Sequence, residues 1–354
     1  EVLQNAKYPV RSVDINIADL KAQIAACEKG IHEIDLMVKH YGIDVVKAYV
    51  NHMHNNAEII VRNAISKIKE ASFCYSMDPD IDGSERKISI SLKVDKLKKS
   101  VIIDFSGTTA QLSSNYNAPE PVTKAAILYC FRLLAGGEIP MNEGVMRPIE
   151  IKLDKRLMLS PEFPAAVIAG NVETSQAVTS CLLLALGIQA ASQSTMNNTT
   201  WGNDKYQYYE TICGGTGAGF NFNGDPYEGT SAIHSHMTNS RLTDPEVLEN
   251  RFPVILEEFG IRQGSGGIGK YNGGEGVIRK VRFLEEMTLA ILAGHRIETT
   301  PGLNGGGNGS VGFSKIIRKC GKVEILRSAD KALMGIGDIF WLETPGGGAL
   351  GKSK

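Results

Sequence analysis

Residues 264–283 read GSGGIGKYNGGEGVIRKVRF. The reading of these glycines decides the fold. A dinucleotide loop needs a strand before its glycines and a helix after them. Here Gly264–Gly269 runs into KYNGG, a second turn signal, and then into VIRKVRF, whose alternation is that of a strand. The chain also lacks a GxxxxGK[ST] phosphate loop. The glycines are therefore read as turns between strands. The same pattern recurs to the C-terminus: PGLNGGGNGSVG (301–312) and TPGGGALG (344–351) alternate with LAILAG, SKIIRK, KVEILRS and DIFWLE. Short strands separated by Gly turns predict a β-rich lobe over 263–354, a barrel or a sandwich. Residues 346–354 read as a frayed tail.

Upstream lies a second glycine-dense stretch, CGGTGAGFNFNGDPYEGTSAIHSHMTN, from Cys213 to Asn239. Interior glycines cost about 1 kcal/mol each in a helix and pack poorly in a strand, so this run serves close backbone approach. His234 and His236 are two apart, which on a strand aims both rings to one face. That spacing suits a metal or acid/base pair, or two hydrogen-bonded structural histidines; both readings stand. GNVETS (170–175) puts Asn171 and Glu173 at the start of an apolar helix ending near Gly187, where free N–H groups favour an anion or are simply capped. MNNTTWGN (196–203) reads as a polar loop, too rich in amides for a core, with Asn197 and Asn198 able to position a small polar ligand. Cys213 before GGTG could act as a nucleophile, though no base for it is identifiable.

The central part, 73–262, reads as α+β. KISISLKV (87–94) and SVIIDFSG (100–107) are antiparallel neighbours joined by the turn 95–99, and DPDIDG (78–83) is an acidic turn. Pro119–Leu134 is a helix, residues 146–153 and 165–168 are strands, and Pro245–Phe259 is a helix capped by Asp244. The front, 1–72, is helical. One helix is expected to stop at Gly30 and another to follow to His40. From Ile43 to Ile68 an apolar stripe recurs at three and four residues. His52 and His54 within it cannot share a helix face. The fold class is mixed α/β: a helical N-terminal region, a central α+β region and a Gly-rich C-terminal β-lobe.

Composition excludes several roles. The formal net charge is −1, from 38 basic and 39 acidic residues, which gives no bulk attraction to nucleic acid or to an anionic membrane. No apolar run approaches the roughly 20 residues that span a bilayer. Six scattered cysteines without a CxxC pair point to a reducing, cytoplasmic setting. The first residue is Glu1 rather than Met, so a piece of a longer protein is expected.

Taken in order, GNVETSQAVTSCLLLALG, STMNNTTWGND, YYETICGGTGAG, GTSAIHSHMTNSRLTDPEVLE, RQGSGGIGKYNGGEGVIR and TPGGGALG resemble the hydantoinase B/oxoprolinase family, as do DLKAQIAACEKG, HYGIDVVKAYV and IDFSGTTAQ nearer the front. The wording is most similar to the C-terminal part of ATP-dependent 5-oxoprolinases. The resemblance implies a cyclic-amide hydrolase of glutathione metabolism. An A-type, actin-like domain or subunit binds ATP and phosphorylates the lactam oxygen of 5-oxoproline. The B-type region then hydrolyses the activated ring to glutamate. It implies His234, His236 and Glu173 as catalytic residues, and Asn171, Asn197, Asn198, Gly214, Gly215 and Asn239 as substrate-binding residues. A divalent metal would have its main ligands outside this chain, because the family's metal blocks belong to an upstream part of the B-type domain. Partners implied are that upstream part, the ATP-binding domain and the lactam, in an oligomer. Asn272 stands where many relatives carry a basic residue. Two other readings remain: the large subunit of an ATP-dependent ketone carboxylase, and an assembly module whose chemistry lies upstream.

Overall fold

A computed structural model describes residues 2–5, 9–10, 12–137 and 139–353. Glu1 and Lys354, the ends of the expected front and tail, lie outside the described residues. The chain separates into two compact units, Glu1–Ala57 and Glu58–Lys354.

Helix α1 (Val13–Tyr41) and the start of α2 (Ile43–Ile65) belong to the first unit. The expected stop at Gly30 does not occur. The helix runs through it and ends at Gly42, whose φ of 83° is the left-handed conformation that breaks a helix. Gly30 only lowers helix propensity and does not terminate it.

In the second unit the chain continues with β1 (Ala71–Met77), β2 (Arg86–Asp95), β3 (Ser100–Asp104), α3 (Glu120–Ala135), β4 (Ile149–Lys152) and α4 (Ser175–Ala185). Strands β1–β4 form one sheet in that order, antiparallel except for β3 with β4. The β2–β3 hairpin is as expected, its turn held by Asp95 Oδ1, which accepts from the N–H groups of Leu97 and Lys98. Every α4 residue is buried; the helix packs on β1, β2 and α3. Residues 165–168 form no strand; they lead into the helical turn instead.

The β-rich part comprises β5 (Asn198–Gly202), β6 (Gln207–Glu210), β7 (Gly219–Phe220), β8 (Pro226–Tyr227), α5 (Pro245–Arg251), β9 (Val254–Arg262), β10 (Gly276–Phe283), β11 (Met287–Leu292), β12 (Phe313–Ile317), β13 (Val323–Leu326), β14 (Ala329–Met334) and β15 (Ile339–Glu343). A five-stranded sheet runs β13-β12-β15-β10-β9 and a four-stranded sheet β14-β11-β5-β6. Trp201, Phe283, Leu289, Ile316 and Phe340 are buried in their common core. Strands on both sides of residue 262 share these sheets, since β5 pairs with β11 and β9 with β10. The expected helix 245–259 is halved. Asp244 does cap it, its carboxylate accepting from the N–H of Glu246, but Pro253 follows α5 and Val254 starts β9 against β10.

The glycine stretches are not mainly turns. Gly215, Gly273, Gly274, Gly346 and Gly347 lie backbone against backbone: a Cβ on Gly347 would collide with the Thr216 carbonyl, and one on Gly273 with the Gly347 carbonyl. The tail is therefore not frayed. Gly346–Leu350 is buried, with Gly347 N–H donating to Gly274 and Gly348 N–H to Ala191. Gly267 likewise abuts the Gly307 carbonyl.

Candidate functional site

The site is built around a buried polar segment, Ala191–Thr199, that joins the end of α4 to β5. The expectation of an amide-rich loop fails at Met196–Thr199, which is core. It can be core because each amide is paired. Asn197, at φ 46°, donates through Nδ2 to Gln193 Oε1 (2.8 Å) and to the Ile212 carbonyl (3.2 Å). Asn198 Nδ2 donates to Glu173 Oε1 (2.7 Å) and to the Leu292 carbonyl (2.8 Å), and its Oδ1 accepts from the Tyr209 hydroxyl (2.7 Å).

Glu173 is 1% exposed. It sits in a π-helical turn, Gly170–Thr174, entered from helical residues at 168–169, so it is not at a free helix N-terminus as GNVETS suggested. The wider turn aims its carboxyl at the polar segment. Oε1 accepts from Thr195 Oγ1 (2.9 Å), Met196 N–H (3.1 Å) and Asn198 Nδ2. Gly294 leaves space beside Oε2, because a Cβ there would lie 3.2 Å from that oxygen. Burial raises the carboxyl to about 7, against the opposing pull of the Thr195 and Met196 donors and of the Arg296 charge. A group so placed can hold or release a proton near neutrality.

The histidines diverge. Residues 234–236 form no strand, and His236 takes a φ of 56°. The two rings therefore do not share a face. His234 Nε2 lies 3.0 Å from the Thr211 carbonyl and 3.1 Å from its hydroxyl. His236 Nε2 is 2.8 Å from Ser192 Oγ, and Nδ1 is 3.3 Å from the Tyr129 hydroxyl. Burial lowers His236 to about 4, so this imidazole is neutral at pH 7 and Ser192–His236 is a neutral hydroxyl–imidazole pair. No group of three or more His, Cys, Asp or Glu able to hold a metal occurs among the described residues. His234 Nε2 and both ring nitrogens of His236 face hydroxyls and a carbonyl.

Of the other expected residues, Gly214 and Gly215 are packed closely against neighbouring segments. A Cβ on Gly214 would strike the Gln193 side chain and one on Gly215 the Gly274 carbonyl. Asn171 and Asn239 are exposed and outside this network. Asn171 contributes only its carbonyl, which accepts from Ser175 Oγ (2.6 Å). Cys213 is buried with its thiol raised to about 11 by desolvation, which disfavours the nucleophilic thiolate. Asn272 caps its own turn, Oδ1 accepting from Gly269 N–H (3.1 Å).

Sequence reasoning passed over Asp78 and the 294–298 loop. Asp78 is no surface turn residue: it is 1% exposed and accepts from the N–H groups of Arg296 (2.7 Å), Ile297 (3.0 Å) and Glu298 (2.9 Å) and from Ser328 Oγ (2.8 Å). Burial works against its charge, but the His295 charge and these donors together outweigh it and hold the carboxyl below its ordinary value. The loop so fixed carries Arg296, whose guanidinium reaches Asn197 Oδ1 (3.0 Å) and the Gly294 carbonyl (2.8 Å). Tyr116 closes the other side, its carbonyl accepting from Thr174 Oγ1 (2.5 Å). The only sequence signal was DPDIDG (78–83), read as an acidic turn.

This architecture is that of two known ATP-dependent enzyme structures. The caprolactamase from Pseudomonas jessenii superposes with a TM-score of 0.82 at 19% identity, over 99% of this chain and 63% of that one. A nucleotide-free acetone carboxylase gives 0.80 at 15% identity, over 95% and 52%. At the level of sequence, residues 1–353 match Hydantoinase B/oxoprolinase, and the chain belongs to that family. The 5-oxoprolinase of Dictyostelium discoideum is 42% identical over 97% of this chain, which spans 27% of that relative's length. Among the described residues no helix is long and apolar enough to cross a membrane.

Proposed function

We propose that this chain is the hydrolytic, B-type part of an ATP-dependent cyclic-amide hydrolase that opens 5-oxoproline to glutamate. ATP would be used on a separate A-type domain or subunit. The 5-oxoprolinase relative supports the substrate. Six unpaired cysteines fit a reducing, cytoplasmic setting.

The observation that carries the reading is Glu173. An amide carbon is poorly electrophilic, and phosphorylation of its oxygen makes attack by water feasible. The attacking water must lose a proton, and the ring nitrogen must gain one as the C–N bond breaks; a second water then hydrolyses the acyl phosphate so formed, releasing inorganic phosphate and glutamate. Glu173, with its proton affinity near neutrality, is suited to take the first and return it. Asn198, Thr195 and Met196 fix that carboxyl. The buried Asn197 and the Gly214–Gly215 backbone would orient the ring, and neutral His236 with Ser192 would offer a second proton path. A divalent metal, when bound, would polarise the water; its ligands would lie outside the described residues, among which no such site occurs.

The test is ADP and glutamate formation by this chain together with its upstream region and A-type partner. Glu173→Gln should lower kcat by at least about a hundredfold. His234→Ala and His236→Ala that leave turnover and KM intact would remove both histidines from the site. Bicarbonate-dependent consumption of a ketone would favour the carboxylase instead.

A further inference from the structure

Arg86, on β2, is 2% exposed. Its Nε donates to the Asp78 carbonyl (2.7 Å) and its Nη2 to the Pro79 carbonyl (3.1 Å); both acceptors are neutral, and Nη1 has no partner. Among the described residues it forms no salt bridge. The contrast lies in the same molecule: Arg279, 1% exposed, is held by Glu210 through two bonds of 2.8 and 3.0 Å. A buried guanidinium without a counter-charge is costly, and such charges are normally paired.

Two more buried groups nearby are unsatisfied. Arg86 stacks on the Tyr116 ring, 3.6 Å from guanidinium carbon to centroid, and lies against its hydroxyl oxygen, whose proton has no acceptor. Arg296 spends Nη1 and Nη2 on the Gly294 carbonyl, Asn197 and Ser314, and its Nε is free. All three residues line one cavity of about 410 Å³. Its remaining polar lining is Arg327, Ser328 and Asp80. Arg327 faces Asp330 at 3.6 Å, Ser328 is committed to Asp78, and Asp80 Oδ1 accepts from Ile81 N–H. Ile81, Ile297 and Leu326 supply apolar wall.

We infer that this cavity is a carboxylate-binding subsite, in which Arg86 Nη1, Arg296 Nε and the Tyr116 hydroxyl take the two oxygens of a small organic acid whose apolar body rests on the isoleucines. Three free donors match the lone pairs of one carboxylate. The Asp80 carboxylate on the same wall disfavours a dianion, which sets inorganic phosphate apart. Tyr116 also ties this cavity to the Glu173 turn through Thr174. Resting on the proposed function, the acid is the lactam substrate itself: 5-oxoproline bears a carboxylate and caprolactam does not.

The experiment is calorimetric titration of the full chain at fixed ionic strength with four probes: 5-oxoproline, cyclopentanecarboxylate, caprolactam and inorganic phosphate. The two carboxylates should bind and the other two should not. Tyr116→Phe, which keeps the ring under Arg86 and hence the packing, should weaken carboxylate binding at least about tenfold. Arg296→Gln should weaken it further. Binding of cyclopentanecarboxylate but not 5-oxoproline sustains the subsite and overturns the proposed substrate. Caprolactam or phosphate binding as well as the carboxylates, carboxylate binding indifferent to both substitutions, or no carboxylate binding overturns the subsite.

Discussion

Replacing Glu173 by Gln should make the protein more stable at alkaline pH and change nothing in acid. The carboxyl has a folded-state value of about 7 against an ordinary 4.5. Below about 4.5 it is protonated in folded and unfolded chains alike and contributes no pH dependence. Between the two values the folded state binds more protons than the unfolded one, so stability falls as pH rises. Above about 7 the full cost is present, about 3 kcal/mol for a shift of this size. The Gln side chain keeps an acceptor for Thr195, Met196 and Asn198 and cannot ionise. Urea unfolding of wild type and Glu173→Gln across roughly pH 4.5 to 8 should therefore show curves that part by about 3 kcal/mol, with wild type the weaker at the alkaline end. The segment is almost completely buried, so no solvent screening reduces the figure. Parallel pH profiles would refute the claim that Glu173 is held protonated, and with it the acid–base role.

Two further outcomes test the frame that holds the site. Gly347→Ala puts a methyl into the Thr216 carbonyl and should cost at least about 3 kcal/mol by urea unfolding, whereas Gly260→Ala, with open space around its Cα, should stay within about 1 kcal/mol. Asp78→Asn swaps an acceptor oxygen for a donor facing Arg296 N–H or Ser328 and should cost roughly 3 kcal/mol, with faster amide exchange at Arg296–Glu298.

Where local pattern and tertiary pairing agree, the fold was legible. The alternation of 87–94 and 277–283 became β2 and β10, and the apolar helix after GNVETS became α4. Where they conflict, pairing wins. Residues 254–262, VILEEFGIR, have helix-compatible spacing, but β10 offers eight of these nine residues an extended partner and Pro253 forbids continuation from α5. Residues 329–334, ADKALM, gave no strand signal because charge interrupts them, yet they pair with β11 over their whole length. The glycine stretches were recognised as backbone sites, but one strand at a time they look like turns. Only their mutual packing, 215 against 274 and 216 against 347, shows that these glycines make room for another segment's carbonyl.

The site followed the same logic one level higher. Glu173, Asn197 and Asn198 were visible because polar groups beside apolar helices and strands demand a reason. Asn171 and Asn239 satisfied the same criterion and proved exposed, because an amide in solvent needs no partner at all. What decides between them is whether a second segment closes over the group, and those segments lie far off in sequence. The backbone donors that fix Asp78 come from 218–220 residues downstream, and the loop they form is what delivers Arg296 to Asn197. A contact that near in space and that distant along the chain leaves no periodicity and no spacing. It leaves only unmatched charges, an Asp in a turn and an Arg after GH, each reading as surface by itself. The unmatched donors that remain after all such pairings are made, on Arg86, Tyr116 and Arg296, are then the best pointer to what the protein does not itself supply.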